Sequence, residues 1–477
     1  MKRLVCRVAL ASCLLFVAGV AAAAGGAETW YVVRIGGATV GTASESLVES
    51  PAGMVFRAHM NVRFTRLGTP LSMMVLTEEE TGPAGQLIHA RMESSLSNSS
   101  STATLEGDSV RYESTMAGAV NRRIIAWRED AVTEAVASRR VREWVAGDEA
   151  ETSMTVFDVA DGGFRTQRYV RGETTGEGDA RVTAVEEYDD GAETASSTIW
   201  FDSHADVVRT VVRQLGVEIV IERVPADSVD SIEIVPDFDI IRQSMVRCEG
   251  FPQPVRRVRD VTLHLDFAGA LPTNPLNGPN QQEIARADHS IDLRLTRETS
   301  VPMREDRATL DKFLAADRFV QSDSPVLVAV ADSIRTASNA QGWELARAVA
   351  GWVNRHITHK GMEHGYSSAL DVFRSCAGDC TEHSLLTVAV LRAAGLPARP
   401  VVGLAYGEGE RAFVGHMWTE VYVDGWRTLD ALDLALDPIR LRVHAPESSE
   451  SLGERDLLRA YGAVAGVRVR VTDYHLE

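Results

Sequence analysis

Apolar and polar residues alternate in short runs from Thr29 to about Val224. Trp30-Tyr31-Val32-Val33-Arg34-Ile35, Val55 through Val62, Leu71 through Leu76, Thr198 through Phe201 and Val217 through Ile221 are separated by Gly, Pro and Ser turn signals. A period of two puts successive side chains on opposite faces of a strand. Regularly spaced short strands predict an antiparallel sheet or half-barrel over residues 28–224. No repeat period points to a solenoid, and the stretch holds no catalytic motif, so it reads as a scaffold or a partner-docking sheet. Residues 225–322 are mixed. Val261 through Phe267 and Ile291 through Leu295 alternate as strands do, around a Pro/Asn/Gly loop from Leu271 to Pro279. They predict a small β connector module.

The period then lengthens to that of a helix. Asp323-Ser324-Pro325 is a helix start with proline placed early, followed by Val328, Ala331, Ile334 and Ala337. A second helix is expected from about Gly342 to Ile357, with Leu345, Val349, Trp352, Val353 and His356 on one face, and Trp343 and Trp352 read as core. A third starts after Gly378. There Asp379 with Glu382 makes a capping box, Leu385, Leu386, Ala389, Val390 and Ala393 supply an apolar face, and Gly395 and Pro397 stop it. Ala398 to Leu404 reads as a strand. Val414 to Val423, the turn Asp424-Gly425 and Trp426 to Ala431 read as a hairpin. The fold class is therefore α+β. A β-rich region precedes a compact helix-plus-antiparallel-sheet core at 323–445, and a tail with a short strand occupies 446–477.

Composition changes this picture at one end of the chain. Lys2, Arg3 and Arg7 precede the apolar run Val8–Val20 and the small residues Ala21 to Ala24. This is the layout of an export signal peptide over 1–24, and the run is short and alanine-rich for a spanning helix. A periplasmic or secreted bacterial protein is expected, with no stable membrane insertion after cleavage. Cys248, Cys376 and Cys380 would remain, an odd number that leaves a free thiol or a pairing between molecules. The net charge is −18 and no basic run occurs, which argues against nucleic acid as a partner.

Candidate chemistry gathers at the third helix. Cys380 occupies its first turn, where backbone N–H groups point outward and the helix dipole favours an anion, so a thiolate is stabilised there. His416 lies 36 residues later on one arm of the hairpin and Asp430 on the other. An imidazole can act as base for the thiol, and a carboxylate can fix its tautomer. The backbone N–H of Cys380 is a ready oxyanion donor, with Trp352, Trp343 and Tyr366 as candidates for a second.

At these residues the sequence resembles the transglutaminase-like superfamily, the papain-related group. The matching stretches are Gly-Asp-Cys380-Thr-Glu-His, Leu-Arg-Ala-Ala-Gly-Leu-Pro-Ala-Arg399, Gly-His416-Met-Trp-Thr-Glu-Val-Tyr-Val and Gly-Trp-Arg-Thr-Leu-Asp430. The resemblance implies Cys380 as nucleophile, His416 as general base and acid and Asp430 as orienter, on a helix-then-sheet core. It covers roughly Ser324 to Ala445 and leaves the N-terminal half uncovered. A strict two-residue turn at Asp424-Gly425 would put His416 opposite Asp433 and Asp430 on the other face. Aligning Asp430 with His416 therefore requires a three-residue turn, Asp424 to Trp426, or a bulge, with Asp433 as the fallback orienter. Glu420 shares the face of His416 but stands too far along the strand to bond it.

Two other uses of these residues compete with this one. Cys376 could serve as a resolving thiol for Cys380, although a buried spacer is the simpler reading. His356, His359, His364, Cys376 and His383 lack the paired spacing of a metal site, so no metal and no organic cofactor are expected. The expected function is acyl transfer through a Cys thioester on protein or peptide amides, cell-envelope substrates among them, ending in crosslinking or hydrolysis. The alternative is a non-enzymatic envelope adaptor that keeps the core as a binding domain. An adaptor has no physical need for all three groups.

Overall fold

The computed structural model describes residues 28–477 apart from 67–68, 96–98, 117–118, 190–194, 215–216, 236–237, 268–270, 273, 298–303, 318, 361–366, 435–439, 447–463 and 465–466. The expected signal peptide lies outside the described residues. No described helix is long and apolar enough to cross a membrane. The chain divides into two compact units, one up to Ile240 and one from Ile241 to Glu477.

In the first unit the alternating pattern becomes a fifteen-stranded sheet among the described residues. Two runs of strands build it, an antiparallel meander from Thr29 to Ala126 and a second from Glu151 to Val224 that Ala131–Val132 extends in parallel. Pairing of Thr29–Ile35 with Val217–Val224 joins them. The sheet curls enough for the meanders to face each other. Leu87, Ala90, Met92, Val110 and Tyr112 of the first pack on Phe157 and Val159 of the second. One element was not anticipated, the helix Glu134–Val145, capped by Thr133 and packed through Val136 against Leu47, Met54 and Phe56. Its apolar period is short and sits between strands, so alternation on either side conceals it.

Polar side chains are also buried within this unit. Tyr31 donates to Glu45 at 2.5 Å, and Ser197 donates to Glu187 at 2.7 Å. Arg165, itself buried, pairs with Glu134, Asp158 and Asp189. Glu79 accepts the N–H of Ala135 at 2.9 Å and so helps cap the helix from the sheet.

Among the described residues the second unit holds a nine-stranded sheet and a group of helices. In sheet order its strands are Gln281–Ala287, Ser290–Thr296, Val258–Asp266, Arg468–Leu476, Val246–Glu249, Ala412–Tyr422, Ala398–Gly407 and Arg440–His444. Trp426–Leu429 pairs with Ala412–Tyr422 beside this path. The strands expected in a connector module, and the strand of the C-terminal tail, thus share one sheet with the core strands.

Helices Pro325–Ser338, Gly342–His356, Ala369–Ser375 and Cys380–Ala393 form the helical side. Pro325 stands at the start of the first, and Asn339 ends it in the left-handed conformation. Helix Cys380–Ala393 is buried on every side, from Cys380 through Arg392. The near-continuous run Leu385 to Leu391 suits that position, because the helix has both sheet and helices to cover it. Motif arginines hold the frame. Arg392 donates to the carbonyls of Ala398 at 2.9 Å and Ala315 at 2.6 Å. Arg399 stacks 3.9 Å over the Trp426 ring and donates to Glu420 at 2.9 Å, and Arg442 donates to the other oxygen of Glu420 at 2.9 Å.

Burial raises the Glu79 carboxyl from 4.5 to about 7, against the hydrogen bonds from Ala135 and Thr133. The folded chain therefore holds this proton more tightly than the unfolded chain. Stability falls as pH rises from about 4.5 to 7 and stays lowered above that. Glu79→Gln keeps the acceptor and removes the charge. It is expected to stabilise the fold by about 3 kcal/mol at pH 8 and by under about 1 kcal/mol at pH 5, read by urea unfolding at the two pH values.

Candidate active site

The first turn of helix Cys380–Ala393 is built by its own sequence. The Asp379 carboxylate accepts the N–H of Thr381 at 2.9 Å, and the Glu382 carboxylate accepts the N–H of Asp379 at 2.9 Å. The capping box is complete, and Cys380 is the first helical residue. Gly378 precedes it at φ 152°, and a Cβ there would stand 2.2 Å from Cβ of Glu382. Only glycine lets Glu382 fold back onto the cap. Ser384, one turn along, donates to the carbonyl of Trp418 at 2.6 Å and fastens the helix to the strand that carries His416.

That strand, Ala412–Tyr422, pairs with Trp426–Leu429 in a register that matches Tyr422 with Trp426 and Thr419 with Leu429. The turn has three residues, as the alignment of Asp430 required, but they are Val423, Asp424 and Gly425 rather than Asp424 to Trp426. Asp424 at φ 58° and Gly425 at φ 138° absorb the extra residue. His416 and Asp430 consequently share a face. Nε2 of His416 donates to Oδ2 of Asp430 at 2.7 Å. Arg440 donates to the same oxygen through Nε at 3.0 Å and Nη2 at 2.9 Å, while Oδ1 accepts the N–H of Leu432 at 2.9 Å.

The whole constellation is buried, with Cys380 1%, His416 0% and Asp430 2% exposed. Burial alone would depress the imidazole. The charge and hydrogen bond of Asp430, and then the thiol of Cys380, outweigh it and hold His416 up at about 9. Burial would likewise raise the Asp430 carboxyl, but His416 and Arg440 keep it well below the usual carboxylate range. The arrangement is a thiol beside an imidazole that is held protonatable by a permanently charged carboxylate.

The other expected residues are placed elsewhere. Asp433 bonds Arg440 at 3.2 Å rather than His416, and Glu420 is held between Arg399 and Arg442. Trp352 is half-buried and stacks on His356 at 4.5 Å, and Trp343 lies under the Arg427 guanidinium, so neither is fully core. Tyr366 and His364 lie outside the described residues. His356 donates to the carbonyl of Phe373 at 2.8 Å with Sγ of Cys376 3.6 Å from its ring. Among the described residues no cluster could hold a metal ion.

Three residues were missed. Arg440 carries no sequence signal, being ten residues from Asp430 in the chain. Trp418 could have been found by alternation, two positions from His416 on one face. Its ring lies against His416 at 5.9 Å, and it spreads over Gly403, where any side chain would collide with it. His383, named above only in the scattered histidine set, stands three residues from Cys380, a helical spacing that signals a shared face.

Parts of the chain are similar to known proteins. Residues 328–431 match the family model described as the transglutaminase-like superfamily. An uncharacterized protein of Mycobacterium leprae (strain TN) is 31% identical over 104 residues, 20% of this chain and 37% of that protein. The chain thus spans little more than a third of that relative's length. The periplasmic domain of TgpA from Pseudomonas aeruginosa is similar at 18% identity, covering 39% of this chain and 86% of that one with a TM-score of 0.28. A beta-barrel-like protein of a domain of unknown function from Brucella abortus is similar at 11% identity, covering 41% and 94% with a TM-score of 0.33. At residues 328–431 the chain carries a transglutaminase-like core, of the thiol-enzyme type of fold.

Proposed function

We propose that the protein is a secreted or periplasmic thiol enzyme that acts on protein or peptide amides by acyl transfer through a Cys380 thioester. The observation that carries this reading is the chain Cys380, His416, Asp430, with the sulfur at a helix N-terminus and the imidazole held by a charged carboxylate. Cys380 gives its proton to His416, and the thiolate adds to the carbonyl carbon. The oxyanion forms at the N–H end of the helix, where the Cys380 backbone can donate to it. On collapse the C–N bond breaks and His416 returns the proton to the departing amine. Water or a second amine then takes the acyl group from sulfur, so hydrolysis and crosslinking diverge only at the last step. The export reading rests on residues 1–24.

One observation favours a second reading, a binding domain without catalysis. The Cys380 sulfur is covered in this structure, at 1% exposure, so a carbonyl reaches it only after local opening. Iodoacetamide separates the two. An activated thiolate predicts alkylation of Cys380 near pH 7 faster than a free thiol, slowed about tenfold or more by His416→Ala. Alkylation no faster than a free thiol would establish the binding-domain reading.

Two pH effects follow for acylation by an amide substrate. The leaving amine needs the imidazolium proton, so the rate is expected to fall above about pH 9, where His416 deprotonates. Arg440→Met leaves Asp430 with one cationic donor fewer, so its carboxyl protonates at higher pH. The loss of activity that follows protonation of Asp430 should therefore set in at higher pH than in the unmodified protein, with Arg440→Lys in between. Incubation with cell-envelope peptides and an amine probe reads the last step. Probe incorporation marks transfer, and new cleavage products without it mark hydrolysis.

A further inference from the structure

His383 is an imidazole in the first turns of the Cys380 helix that the proposed chemistry does not use. It is fully buried. Its Nδ1 lies 2.6 Å from the carbonyl oxygen of Asp379, and that oxygen also accepts the backbone N–H of His383 at 3.0 Å. A carbonyl only accepts, so Nδ1 carries the ring proton and donates it. Burial first, and Lys360 with it, keeps the ring neutral by lowering its pKa to about 4 against the pull of Asp379 and Asp430. Nε2 is therefore a bare lone pair, buried and without a donor among the described residues.

The carbonyl that the ring bonds belongs to the same peptide unit as the N–H of Cys380. A trans peptide is planar, and its C=O and N–H point in opposite directions. Fixing the oxygen therefore fixes the direction of the N–H. Asp379 is the N-cap, and its carbonyl accepts the first backbone hydrogen bond of the helix from His383, so the ring adds a second hold on a unit that the helix already engages through one bond. A second donor on the oxygen also polarises the amide and makes its N–H a stronger donor.

We propose that His383 is a positioning residue for the oxyanion. Its Nδ1–H clamps the Asp379–Cys380 peptide so that the Cys380 N–H is aimed and strengthened as the oxyanion donor. This rests on the reading of Cys380 as nucleophile. A histidine that only fills the core would hold the helix start without favouring either reaction of the sulfur.

Two reagents part these roles in the full chain. p-Nitrophenyl acetate acylates sulfur through an oxyanion, whereas iodoacetamide alkylates it by displacing iodide, with no oxyanion. In Asn the amide nitrogen takes the place of Nδ1, and in Gln it takes the place of Nε2. H383Q is expected to slow acylation by about 10- to 100-fold with alkylation changed less than about twofold, while H383N restores most of the acylation rate. H383F replaces H383Q in the comparison if the thermal midpoint shows that H383Q does not fold. Equal loss in both reactions, loss in neither, or no rescue by H383N would overturn the proposal. Unmodified protein whose Cys380 reacts with both reagents no faster than a free thiol would instead overturn the reading of the site itself.

Discussion

A carboxylate shut away from water keeps its charge only where donors stand in for the water. Asp430 is that group here. It takes His416 and Arg440 on one oxygen and the backbone of Leu432 on the other, which leaves a full negative charge under the imidazole at 2% exposure. The rest of the site depends on that charge. It makes His416 a strong enough base to share the thiol's proton despite complete burial. Remove the cationic partner and the same burial that excludes water would neutralise the acid.

The surrounding frame serves to bring three separately encoded pieces to one point. Helix Cys380–Ala393 brings the sulfur, and the strand Ala412–Tyr422 brings the ring. The turn at Val423 to Gly425 sets the face on which Asp430 lands. The Ser384–Trp418 hydrogen bond sets the spacing between helix and strand, and the buried Arg399–Glu420–Arg442 cluster braces the hairpin from behind. Ionic groups so deeply buried contribute modestly to net stability but are costly to break one at a time. They act here as registration pins. The first unit buries polar groups in the same manner, with Arg165 among three carboxylates and Glu79 against a helix start.

What could be read from the chain alone was whatever lies within a few residues or follows a simple period. The capping box at Asp379 and Glu382, the proline at the head of helix Pro325–Ser338 and the alternation of the N-terminal strands are of this kind. Each is a bargain between neighbours in sequence, so the residues themselves encode it. The helix Glu134–Val145 escaped because a single short amphipathic run among strands carries too little period to stand out.

The chain by itself therefore determined that a thiol would stand at a helix start, with an imidazole and an acid on the two arms of a hairpin. Tertiary structure decided the rest. Arg440 reaches Asp430 only because its own strand, Arg440–His444, is added to the sheet beside Ala398–Gly407. The extra turn residue was Val423 rather than Trp426 because Trp426 is drawn into the core beneath Arg399 and against Phe313. Such contacts are sums over many weak, long-range interactions, and no local pattern of residues records their outcome.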